Sequence, residues 1–118
     1  MIPLTPERLA AVYECLRAFP PFNRLDLPPA SEVCFGVLRT RKVHGDYTRY
    51  VGTDKHFLRV SASTHSQFGS IAETVGHEML HVHQGRAKTE TRGEHNAEFK
   101  RLAARACRVM GWDLGQFL

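Results

Sequence analysis

Little in this 118-residue chain is cross-linkable, repeated or suited to a membrane. No run of 18 apolar residues occurs, so no segment is expected to span a bilayer. Only three cysteines are present, Cys15, Cys34 and Cys107, odd in number and far apart. They form no CxxC pair, so neither a disulfide framework nor a cysteine-built zinc ribbon is expected. Reduced thiols of this kind fit a cytoplasmic protein. The opening MIPLTPERLAAVYE has no basic n-region and no apolar h-region, so no secretory leader is expected. No internal repeat or low-complexity tract appears. The expectation is one cytoplasmic domain over 1–118, monomeric and without a membrane partner.

What is present supports a folded domain. Hydrophobic residues make up 42% and charged residues 24%, which is globular composition. The net charge is +4, from 16 basic and 12 acidic residues. The outlying number is seven histidines.

Residues 5–19 read as a helix, with Thr5 as cap and Pro6 at the first helical position. Leu9, Val12, Tyr13 and Leu16 form its apolar stripe. Four prolines make 20–31 a loop. Segments 33–38, 46–51 and 57–61 read as strands separated by Gly-containing turns. A three-stranded antiparallel meander is expected. Ser70-Ile71-Ala72-Glu73 has a capping-box pattern, and a helix should run from Gln67 or Ser70 to Gln84, ended by Gly85. After a charged loop over 85–94, a last helix should run from His95 to Met110 and stop at Gly111. The fold class is α+β.

The chemistry-bearing motif is His77-Glu78-Met79-Leu80-His81, an HExxH sequence inside a predicted helix. Histidines four apart lie only about 40° apart around a helix, so both imidazoles reach one point. They supply two ligands of a zinc site, and Glu78 can act as general base toward a metal-activated water. Ile71, Val75, Met79 and Val82 fall about 120° to 200° from His77, so the apolar face lies roughly opposite the histidines. The helix should therefore rest its back on the core and turn the histidines to a cleft.

A catalytic zinc needs a third protein ligand. Glu90, Glu94, His95 and Glu98 are candidates. On the last helix, Phe99, Leu102, Ala103, Ala106, Val109 and Met110 lie within about 80° of His95, while Lys100, Arg101, Arg105 and Arg108 lie on the other side. His95 is thus the favoured ligand and Glu98 the reserve.

Glu73-Thr74-Val75-Gly76-His77-Glu78-Met79-Leu80-His81, followed by His95-Asn96-Ala97-Glu98-Phe99-Lys100, resembles the SprT-like (Spartan-related) zinc metalloproteases. The order of elements over roughly residues 30–112 is similar as well. The resemblance implies a small zincin-like domain and a zinc-dependent endopeptidase acting on protein or peptide. It also implies His95 as third ligand. Proteolytic members degrade proteins crosslinked to DNA and depend on DNA binding. The cysteine pairs of the bacterial zinc ribbon are missing here, and Asn96 stands where the family often has glycine. Two other readings fit the same residues. One is a DNA- or protein-binding module with structural zinc, and the other a small gluzincin-like peptidase with Glu98 as third ligand.

Around this centre, the strand over 56–61 is expected beside the cleft, free to pair with an extended substrate. Glu73 is a candidate acceptor for the outer N–H of a ligand imidazole. Tyr47, Tyr50, His83 and Arg92 are candidate oxyanion donors. His44, His56 and His65 are expected on the surface. The basic outer face of the last helix, with Arg39, Arg41, Lys42, Arg49, Arg86, Lys88 and Arg92, is a candidate phosphate-contacting surface.

Overall fold

A computed structural model describes residues 3–49, 55–64, 68–91 and 95–118. Thr5 caps the first helix, α1 (Pro6–Arg17), by accepting from the Arg8 N–H at 3.2 Å. The expected stripe of Leu9, Val12, Tyr13 and Leu16 is the buried one. Short 3₁₀ turns at Phe22–Arg24 and Ala30–Glu32 carry the chain to the sheet.

The strands are β1 (Val33–Leu38), β2 (Gly45–Arg49) and β3 (His56–Ser61). They do not form the expected meander. The sheet order is β1-β3-β2, with β3 parallel to β1 and antiparallel to β2. Burial explains the order. His56, Leu58, Val60 and Ser61 of β3 are all buried, so this strand takes the centre. The polar sequence GDYTR tolerates an edge. Arg59 opposite Asp46 donates to its carboxylate at 2.8 Å and secures the β2 register. Because β3 pairs on both sides, it cannot accept a further strand; among the described strands, the edges belong to β1 and β2.

Helix α2 (Phe68–Ala87) starts between the two expected positions, Gln67 and Ser70, and runs past its expected end at Gln84. It begins before Ser70, so Ser70 and Glu73 do not form the capping box. It also passes through Gly85 and ends where Lys88 turns to φ 59° and Thr89 N–H bonds to Gln84 O at 3.0 Å. A Cβ on Gly85 would lie 2.4 Å from the Tyr47 hydroxyl. The glycine serves close approach of β2 and not helix termination. Ile71, Val75, Met79 and Val82 are buried as expected, and Ala72 and Leu80 are buried too. The helix touches α1, β2, β3 and the two helices that follow, so it is the hub of the core.

Helix α3 (Ala97–Met110) starts at the N-cap Asn96, whose side chain accepts from Phe99 N–H, and stops at Gly111 with φ 77°. Phe99, Ala103, Ala106 and Cys107 are buried, whereas Val109, assigned inward by the wheel, is half exposed. A short helix, α4 (Leu114–Phe117), was not anticipated. Asp113 caps it through Gln116 N–H at 2.9 Å, and Phe117 stacks on Trp112 at 5.5 Å. The described residues form a compact α+β fold with four α-helices and a mixed sheet. No helix among the described residues is long and apolar enough to cross a membrane.

Candidate metal centre

His77 and His81 sit one turn apart on α2, and His95 stands just before the α3 cap. The fold brings all three together: one ring nitrogen from each lies within 4.8 Å of the others. They form the only such group of three or more His, Cys, Asp or Glu side chains among the described residues. They could hold a metal ion.

The chemistry of the surroundings agrees. His77 Nδ1 lies 2.7 Å from the Phe117 carbonyl oxygen. A carbonyl only accepts, so Nδ1 carries the proton and Nε2 keeps its lone pair. A ligand histidine requires that tautomer, with its outer N–H held by an acceptor. Glu73, expected in that role, instead lines the cleft, and the acceptor comes from α4. No side-chain pattern could have shown it, since the group is a backbone carbonyl. Burial, with His77 and His95 beside it, pushes the His81 pKa down to about 3. His81 is therefore neutral near pH 7, as a ligand must be.

Phe99 forms an aromatic backing to the three imidazoles. Its ring centroid lies 4.4 Å from His95, 4.5 Å from His81 and 5.1 Å from His77, nearly parallel to the first. The residue is fully buried, so this side of the group is apolar and dry.

Glu78 is buried at 3% exposure, and its Oε1 lies 3.8 Å from His77 Nε2. A cleft of about 450 Å³ opens beside the pair. One wall is α2, with Ser70, Glu73, Thr74, His77 and Glu78; the opposite walls are Val43 to Gly45 and Gln116 to Leu118. Gly45 permits this approach of strand to helix. A Cβ there would meet the Arg59 carbonyl oxygen at 2.6 Å and the Thr74 methyl at 2.9 Å.

The remaining candidates separate clearly. Glu98 is turned to Gln84, whose Nε2 donates to it at 2.8 Å, and it is not part of the histidine group. Glu90 pairs with Arg49. Glu94, Tyr50, Arg92 and His65 lie outside the described residues. His83 Nδ1 accepts from Asp26 N–H at 2.8 Å, which fastens α2 to the loop after α1. Tyr47 stacks parallel to His81 at 6.3 Å, but its hydroxyl lies 2.6 Å from His56 Nδ1. His56 is therefore not a surface residue; it is 1% exposed in the central strand. His44 is exposed as expected. Of the basic residues, Arg49 pairs with Glu90 and Arg86 with Asp26.

No family model, curated protein or solved structure matches this chain.

Proposed function

We propose that the protein is a zinc-dependent endopeptidase that cleaves peptide bonds with a metal-activated water. The observation that carries the reading is the His77–His81–His95 group with Glu78 beside it at the margin of a cleft. Three imidazoles are a donor set suited to zinc, and three protein ligands leave a fourth position for chemistry. The HExxH order followed by His95, which resembles the SprT-like zincins, supports the same reading.

His77, His81 and His95 would hold the ion. Bound zinc supplies a Lewis acid that polarises the scissile carbonyl and makes water acidic enough to attack near pH 7. The Glu78 carboxylate takes the proton as water attacks and delivers it to the leaving amine. Its burial limits competing solvent and keeps the carboxylate next to the reacting atoms. Edge strand β2, whose Gly45 adjoins Glu78, offers backbone groups to an extended substrate, the part first expected of β3.

A DNA-associated substrate is favoured by a second observation. Lys100, Arg101, Arg105 and Arg108 form an exposed row on α3, and none joins an ion pair among the described residues. Such a row suits phosphate contacts, whose strength falls steeply with salt.

The deciding experiment combines metal analysis with cleavage of an unfolded protein, with and without DNA. Purified protein should carry about one zinc per chain. Glu78→Gln should retain it while losing roughly 100- to 10,000-fold in activity. If zinc-loaded protein cleaves nothing and Glu78→Gln changes nothing, the enzyme reading fails. A structural-zinc module would instead unfold on chelation.

A further inference from the structure

Resting on that metal-centre reading, we infer that Gln84 is a positioning residue for His95. His95 precedes the α3 cap, so no helical hydrogen bond fixes it directly. Something else must bring the start of α3 to α2. The fully buried amide of Gln84, one turn beyond His81 on α2, is placed to do this. Its Nε2 donates to Asn96 Oδ1 at 3.0 Å and to Glu98 Oε1 at 2.8 Å. A carboxylate only accepts, so the amide orientation is dictated by Glu98, and both amide protons are used.

Asn96 then distributes the connection. Its Oδ1 also accepts from Phe99 N–H at 2.9 Å, while Nδ2 donates to Thr89 O at 3.1 Å and Thr91 Oγ1 at 3.4 Å. The end of α2, the loop leaving it and the cap of α3 therefore meet at the half-buried Asn96 amide. Asn96 is the residue immediately after the third histidine. Any slackening at Gln84 reaches His95 through a single peptide unit. The side chain does not touch the imidazole; it acts on where the ring is presented.

The test uses the full chain, with Gln84→Met to match length without hydrogen-bonding groups. Cobalt(II) binding is followed by its d–d absorption, and zinc affinity by competition. Gln84→Met should bind both ions about 10- to 100-fold more weakly. Its cobalt spectrum should shift toward that of His95→Ala, the reference for a lost ligand. Leu16→Ala, a core variant away from the site, controls for destabilisation alone and should keep the wild-type spectrum. If Gln84→Met does not fold, Glu98→Ala removes one of the two acceptors, and a smaller shift in the same direction is expected. Wild-type affinity and spectrum in whichever of these variants folds, even with a lowered melting temperature, would overturn the inference. Undiminished metal binding by His95→Ala would overturn the metal-centre reading and this inference together.

Discussion

At Gly85 a single hydrogen atom decides how close a strand comes to a helix. In an ordinary exposed helix interior, alanine is better than glycine by about 1 kcal/mol. Here the added Cβ would lie 2.4 Å from the Tyr47 hydroxyl oxygen and 3.3 Å from Arg49 Cδ. Gly85→Ala is therefore expected to lower thermal stability despite its helix propensity. Combining it with Tyr47→Phe, which removes the obstructing oxygen, should recover part of the loss. Simple additivity in this double-mutant cycle would show that the close approach does not matter. Gly85 was legible in the sequence as a helix breaker, and that reading failed for a definite reason. Its partner comes from β2, about forty residues earlier, and local pattern holds no record of such a neighbour. His56 illustrates the same limit. Without spacing to another ligand it looks incidental, yet it is buried against Tyr47 in the central strand.

Among the elements, α4 has the largest consequence for its size. Four residues carry the carbonyl that orients His77 and the ring that stacks on Trp112. Phe117 is 4% exposed, so truncating it removes the anchor of the element. Phe117→Ala should cost about 3–5 kcal/mol in urea unfolding. It should also weaken metal binding, because the acceptor for His77 Nδ1 loses its fixed place. A stability loss with unchanged metal affinity would separate α4 from the site. The longer elements were more legible. The α1 cap, the Gly111 stop of α3, the α2 apolar stripe and most of the inward side of α3 follow from residue type and a 3.6-residue period. The strands were found by composition, but their order was not. Pairing is decided by which strand buries the most of its side chains, and β3 outcompetes the polar β2 for the centre.

For the molecule as a whole, carboxylates outside the proposed centre shape its response to acid. The Ala30 N–H and then Arg17 hold Glu14 below the usual carboxylate range. Thr89 and then Gln84 do the same for Glu98. A depressed folded pKa means that the native state binds fewer protons than the unfolded chain. The resulting stabilisation is complete above the unfolded pKa and disappears as pH falls through the folded one. The urea midpoint should therefore decline below about pH 5, and Glu14→Gln should make that acid limb shallower. An equally steep limb in the variant would remove Glu14 from this account. At this scale the contributions of sequence and tertiary structure divide cleanly. The sequence by itself determined that His77 and His81 share a direction, that Glu78 lies beside them, and that the helix after His95 turns an apolar side inward. Those relations follow from helical geometry within one or two elements. Only the tertiary structure decided that the three nitrogens meet, that a distant carbonyl selects the His77 tautomer, and that β2 and not β3 borders the cleft. Each of these depends on which surfaces bury one another, a competition among the apolar faces of the whole chain that no local spacing encodes.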